Sequence, residues 1–103
     1  MSTLTAEQVE GLKKAATKGL LGNYLRNHSV SFTGTLSMRR EDLVELLRAV
    51  GGRWDERVNY YTNFLVVGDT GRFGETKKIH DARMRGTTIV TEEEFVAMLL
   101  KKR

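Results

Sequence analysis

The chain has 103 residues, of which 40% are hydrophobic, so it can build one domain with a single core but not two. It contains no cysteine, which excludes disulfides and cysteine-based metal sites or nucleophiles. No apolar run approaches the roughly 18 residues of a membrane span, and the polar start with its early acids does not suit a signal peptide. Lysine and arginine number 17 against 13 acids, giving a formal net charge of +4 that favours polyanionic partners, above all nucleic acid.

The first 28 residues predict a helix. Thr5 and Gln8 have the spacing of a capping box. Apolar residues then recur at helical intervals, namely Leu4, Val9, Leu12, Ala16 and Leu20. We expect a helix from about residue 6 to about residue 18 that continues or re-forms through Tyr24. The initial methionine and the polar start favour a complete small protein over a fragment, an alternative that the sequence leaves open.

From residue 29 the chain alternates between strands and helices. A short apolar strand over 30–34 leads into a helix that we expect Ser37 to cap and the glycine pair at 51–52 to end. Residues 53–58 predict a charged edge strand. The continuous apolar run over 63–68 is typical of a strand covered on both faces.

The second half repeats this alternation. A glycine-rich loop over 69–75 precedes a short helix over 76–86 and a strand over 87–90. Thr91 and Glu94 then have capping-box spacing and open a last helix. The element order β-α-β-β-α-β-α predicts one α/β domain with helices on both faces of a sheet.

Four stretches in this order and spacing resemble a BRCT domain: VSFTGTLS, LRAVGGRW, YYTNFLVVGD and TKKIHDARMRGTTIVTEEEF. The resemblance covers about residues 29–100 and is strongest to the single BRCT modules of bacterial NAD-dependent DNA ligases and of the large subunit of replication factor C. One departure is Phe95, which stands where many BRCT domains carry a tryptophan. The resemblance implies a four-stranded parallel sheet flanked by helices, with residues 1–28 as an N-terminal helical extension and 29–103 as the BRCT domain.

The junction Thr33-Gly34-Thr35 is the first candidate binding site. A strand that runs into a helix start leaves backbone N–H groups unpaired, and the helix dipole favours an anion there. Cations in the first turn of the 76–86 helix oppose its dipole, which makes sense if an anion lies between them and the backbone. The residues expected to bind phosphate are Thr33, Gly34, Thr35, Arg39, Arg40, Thr76, Lys77 and Lys78.

The resemblance sharpens this expectation. In phosphate-binding BRCT domains, a Ser/Thr-Gly pair after the first strand acts together with a lysine at the start of the second helix. Thr33-Gly34 and Lys78 match those positions. Either Arg39 or Arg40 matches the arginine of the first helix. Arg72 is a further candidate near the pocket. The alternative is a pure packing role, in which the glycine only turns the chain and Glu41 and Asp42 neutralise the arginines.

We therefore expect a non-catalytic module that binds duplex DNA at a 5′-phosphorylated end or nick, in replication or repair and beside a replication or repair protein. Four bases of the N-terminal segment are expected to contact the DNA backbone: Lys13, Lys14, Lys18 and Arg26. The alternative is a protein-interaction module that reads phosphopeptides or forms a homodimer through leftover apolar residues (Met38, Leu46, Leu100).

Neither an enzyme nor a metal site is expected. No acid, histidine and serine arrangement suggests a triad, and the two histidines lie far apart without a second type of metal ligand nearby. We expect no cofactor and no association with a membrane. The expected location is cytoplasmic for a bacterial or phage protein, and nuclear for a eukaryotic one.

Overall fold

Helices and strands alternate along the chain as predicted. The computed structural model describes residues 4–71, 74 and 76–102. Its elements are α1 (Ala6–Thr17), β1 (Ser29–Thr33), α2 (Arg40–Ala49), β2 (Arg53–Trp54), β3 (Phe64–Val67), α3 (Lys77–Arg85), β4 (Thr88–Thr91) and α4 (Glu92–Leu100).

The strands form one parallel sheet in the order β2-β1-β3-β4, which confirms the expected architecture. β1 is central and buried at all five positions. The register places Thr33 beside Val67, and Val67 beside Thr91. Three strands therefore end side by side along one edge of the sheet, called the carboxyl edge below, and α2, α3 and α4 all begin just beyond it.

Two apolar clusters hold the helices against the sheet. The larger cluster joins α1, α2 and α4 to the face that carries Val30 and Phe32, and Phe32 meets Phe95 of α4 edge-on with ring centroids 5.4 Å apart. The smaller cluster packs α3 on the other face, through Ile79 and Ala82 against Leu65. Alternate residues of a strand point to opposite faces, so the hydroxyl of Thr33 lies on the α3 side.

The N-terminal segment is tied to the rest of the fold at both ends. The capping box between Thr5 and Gln8 is present, but α1 ends at Thr17 and does not continue to Tyr24. Further along, Gly22 N–H donates to Leu99 O over 2.9 Å, and the N–H groups of Asn23 and Tyr24 both donate to Lys101 O over 3.0 Å. A Cβ at position 22 would collide with the Lys101 backbone. Leu12 and Leu25 also belong to the larger core cluster, and a domain boundary at residue 28 stays a prediction.

Two expectations about α2 are wrong, and the expectation about the strand after it is only partly right. Arg39, not Ser37, is the N-cap of α2, because the Ser37 hydroxyl and N–H are both hydrogen-bonded to Glu92. Met38 and Leu46 are buried in the larger core cluster, so of the three residues predicted for a dimer face only Leu100 is exposed. β2 lies at the edge of the sheet as expected, but it is only two residues long, although the Asp55 N–H still donates to Val30 O over 2.9 Å.

Candidate phosphate-binding site

Two threonines join the end of β1 to the start of α3. The hydroxyl oxygens of Thr33 and Thr76 lie 2.9 Å apart. Thr76 is the N-cap of α3, and its hydroxyl also accepts the Ile79 N–H over 3.3 Å. The Thr-Gly-Thr junction and the start of α3 are therefore in contact, although Thr33 and Thr76 are 43 residues apart in the chain.

The glycine of the junction has a packing role. Gly34 adopts φ +79, and a Cβ there would lie 3.0 Å from Asp69 O. The next residue, Thr35, exchanges two backbone hydrogen bonds of 2.8 and 2.9 Å with Asp69. A side chain at position 34 would push the β1–α2 loop away from the β3–α3 loop. The packing alternative therefore accounts for Gly34 and for the Thr35 backbone, but not for the basic residues beside them.

Lys78 brings its ammonium group to the same place. Its Nζ donates to Phe32 O at 2.7 Å, at the penultimate residue of β1. Burial lowers the pKa of the Lys78 ammonium below its ordinary 10.5, and the charge of Arg40 lowers it further, whereas Glu56 acts in the opposite direction. An ammonium has three donors, so two of its protons are available to a further acceptor.

Arg40 is the arginine that acts on this lysine. It is the first residue of α2 and directly follows the N-cap, Arg39, and both arginines are exposed. Lys77, also in the first turn of α3, is exposed. Of the basic residues predicted for the pocket, Lys78 contacts the end of β1 beside the threonine pair, and Arg40 is the arginine whose charge lowers the pKa of Lys78. The positive potential that acts on Lys78 also favours an anion at this place.

A buried carboxylate that the sequence analysis did not single out fills the loop before α2. Glu92, the first residue of α4, is 7% exposed. It accepts hydrogen bonds from the Ser37 N–H at both carboxylate oxygens (3.0 Å each), from the Ser37 hydroxyl (2.7 Å) and from the Met38 N–H (3.3 Å). These N–H groups already hold an anion that the chain itself supplies. No local pattern reveals this contact, which spans 55 residues.

The four predicted backbone contacts are spread out and do not gather at the pocket. Lys13 pairs with Asp42 of α2 at 3.2 Å, and so Asp42 neutralises a lysine of α1 rather than the arginines. Lys14 and Lys18 are exposed along α1. The side chain of Arg26 packs over Gly51, at the opposite end of α2 from Arg40.

Several residues outside the candidate site have structural roles. The Thr62 hydroxyl accepts the Asn59 N–H and donates to Asp55, which ties the loop before β3 together. His28 stacks on Tyr24 with ring centroids 5.7 Å apart. Within the described residues no group of three or more potential ligands could hold a metal ion, and no helix is long and apolar enough to span a membrane. Arg72 lies outside the described residues.

Comparison with known proteins shows that residues 21–99 match the family of the BRCA1 C Terminus (BRCT) domain. Similar curated proteins are bacterial DNA ligases. The match to the ligase of Desulfovibrio desulfuricans is 35% identical over 81 residues and covers 79% of this chain and 11% of the ligase. For the ligase of Aquifex aeolicus the values are 33% over 104 residues, 90% and 14%, and for that of Thermotoga maritima 31% over 103 residues, 95% and 14%.

The chain thus spans only about an eighth of the length of the ligases that it matches. Among solved structures, the S. pombe Rad4 BRCT3,4 chain superposes with a TM-score of 0.61 at 20% identity. The superposition covers 74% of this chain and 42% of the Rad4 chain. At this identity the likeness supports the fold.

Proposed function

The chain belongs to the BRCT family, and we propose that it is a non-catalytic module that binds duplex DNA at a 5′-phosphorylated end or nick. The observation that carries this proposal is the Lys78 ammonium, which is held 2.7 Å from Phe32 O beside the hydroxyl pair of Thr33 and Thr76 and feels the charge of Arg40. The occurrence of similar modules in bacterial DNA ligases supports a role at DNA ends or nicks.

A terminal phosphate suits this place better than an internal phosphodiester. A phosphate monoester carries close to two negative charges at neutral pH, because its second pKa is about 6. A phosphodiester carries one. The combined positive charge of Lys78 and Arg40 favours the more highly charged monoester, and hydroxyl and N–H donors at the start of α3 can bind the remaining oxygens. In this proposal Lys78 keeps its bond to Phe32 O and donates its other two protons to the phosphate.

The rest of the duplex contributes without sequence specificity. Contact with about four phosphates predicts a slope of about −3.6 when the logarithm of the affinity is plotted against the logarithm of salt concentration. Lys14, Lys18 and Arg26 are the candidates for these contacts, since all three are exposed and lie along the α1 and α2 side of the molecule. Lys13 contributes less, because Asp42 already neutralises it.

The test measures the affinity for one duplex with and without a 5′ phosphate. We expect the phosphate to tighten binding by at least about tenfold, as charge-assisted hydrogen bonds contribute roughly 1.5–3 kcal/mol. Lys78→Met should abolish this preference. Lys77→Met is the matched control. It removes the same charge from an exposed side chain one residue away, and it should keep the preference for the 5′-phosphorylated duplex. Equal affinity of the wild-type protein for both duplexes would refute recognition of the end.

A phosphopeptide is the alternative ligand, because phosphoserine presents the same monoester to the same groups. Titration with a phosphoserine peptide and its unmodified form separates the two functions. The DNA proposal predicts that the peptide binds far more weakly than the 5′-phosphorylated duplex. A phosphopeptide that binds more tightly than the duplex at equal salt would favour the protein-interaction function instead.

A further inference from the structure

A cavity lies at the carboxyl edge of the sheet, beside β3 and β4. Its volume is about 620 Å³, and it is lined by the loop before α2, the ends of β3 and β4 and the first turn of α4. Its apolar wall consists of Leu36, Val67, Ile89 and Val90. Ile89 is 38% exposed, although most aliphatic side chains of the sheet are buried. A cavity of this size accommodates one or two large side chains.

The charge of this cavity is opposite to that of the chain. Four of its lining residues are acids (Asp69, Glu92, Glu93, Glu94), and among the described residues no lysine, arginine or histidine lines it. The protein as a whole carries a net charge of +4. Hydrogen bonds within the chain use part of these acids, since Asp69 accepts the Gly71 N–H and Glu94 accepts the Thr91 N–H. A carboxylate has about four acceptor positions, so both retain capacity for a further donor.

We propose that this cavity, called the acidic groove below, docks a segment of a partner protein in which an apolar side chain is flanked by lysine or arginine. The apolar side chain covers Ile89 and Val67, and the flanking cations meet the acids on the rim. Burial of apolar area supplies the affinity, and the charges select the partner and its orientation. DNA is disfavoured in the groove, because its phosphates would face four carboxylates.

The acidic groove is distinct from the phosphate site but shares a loop with it. Thr35 and Asp69 both line the groove, and their backbones are paired with each other. Thr35 directly follows Gly34 in the junction that carries Thr33. A partner and a DNA end can therefore occupy neighbouring positions along one edge of the sheet. The groove does not depend on the proposed DNA binding, since none of Arg40, Thr76 and Lys78 lines it.

The experiment selects a displayed library of random dodecapeptides on the wild-type protein and measures the enriched peptides by fluorescence anisotropy. We expect the enriched sequences to combine a large aliphatic or aromatic residue with neighbouring lysine or arginine. Ile89→Ser and, separately, Glu93→Lys should each weaken their binding at least about tenfold. Glu93 lies in the first turn of α4, outside the sheet. Glu93→Lys therefore tests the role of the acidic rim even if Ile89→Ser perturbs the sheet.

Matched controls change the same chemistry elsewhere. Met84→Ser removes an apolar side chain that is 75% exposed on α3, and Glu10→Lys reverses an exposed acid on α1. Both should leave peptide affinity unchanged, and Ile89→Ser should leave affinity for duplex DNA within about twofold. Failure to enrich any basic and apolar sequence, or equal binding by the groove variants, would overturn the proposal. So would sedimentation that shows a dimer which Ile89→Ser dissociates, because a second copy would then occupy the groove.

Discussion

The loops that lead into α2 and α3 leave the same edge of the sheet, but they treat negative charge differently. In the loop before α2, the N–H groups of Ser37 and Met38 are filled by the buried carboxylate of Glu92. At the start of α3, Thr76 caps one N–H and the first turn carries Lys77 and Lys78. One loop thus holds an anion of the chain itself, whereas the other gathers cations. In the proposed function, an external anion therefore binds at the helix start for which the fold has not already supplied a carboxylate.

The largest effect should come from removing the internal anion. Glu92→Ala leaves the N–H groups of Ser37 and Met38 without their acceptor, and we expect it to lower the free energy of unfolding by roughly 2–4 kcal/mol. Urea denaturation measures this loss. Glu45→Ala, on an exposed glutamate of α2, is the control and should cost about 0.5 kcal/mol or less. If both variants lost the same stability, the contrast between the two loops would not hold.

A smaller effect is expected at the threonine pair. Thr33→Val keeps the shape of the side chain but removes the hydroxyl that lies 2.9 Å from Thr76, so the free energy of unfolding should fall by about 1 kcal/mol. Thr35→Val changes an exposed threonine two residues away and should remain within about 0.5 kcal/mol of the wild type. In addition, Thr33→Val should weaken binding of a 5′-phosphorylated duplex, whereas Thr35→Val should not. A neutral Thr33→Val in both assays would leave the pair without a role.

The smallest effect is a dependence of stability on pH. The pKa of Lys78 is lowered in the folded protein, chiefly by burial and then by Arg40. The unfolded chain therefore holds this proton more tightly, and the penalty for a charged Lys78 in the folded protein disappears as pH rises from the lowered pKa toward 10.5. The difference in the free energy of unfolding between wild type and Lys78→Met should shift in favour of the wild type over that interval.

A bound phosphate should remove this dependence of stability on pH. An anion beside Lys78 favours the charged form and raises its pKa. In the presence of a 5′-phosphorylated duplex, the alkaline shift between wild type and Lys78→Met should disappear, and the affinity for the duplex should fall as Lys78 loses its proton. Denaturation curves and binding titrations at several pH values would show this. An affinity for the duplex that does not change across the alkaline range would contradict the assigned role of Lys78.

The sequence predicts those parts of the fold that local rules determine. The capping boxes at Thr5 and Thr91 both form, because each depends on residues three positions apart. The contact between Thr33 and Thr76 could be predicted from the sequence, because the strands of a parallel sheet all end at one edge. Ser37 was misread as a cap because its partner, Glu92, comes from the far end of the chain. The burial of Met38 and Leu46 was missed for a similar reason, as α1 and the other helices cover a face that the local pattern leaves open.

The candidate site was likewise predictable only in part. The residue types were readable from the sequence, but the choice between Arg39 and Arg40 depends on where α2 begins. Once Arg39 is the N-cap, Arg40 is the arginine whose charge reaches Lys78. The acidic groove had no sequence signal, because its walls come from three separate segments that meet only after the sheet has formed.

The hydrogen bonds from Gly22, Asn23 and Tyr24 to the end of α4 have a mechanical consequence. They join the chain before β1 to the residues that follow the last helix, and the Lys101 ammonium lies 4.5 Å from the centroid of the Tyr24 ring. Tension applied between residues 21 and 102 would meet these contacts before it reached any strand. The sheet is thereby shielded from a pull on the two segments that flank it.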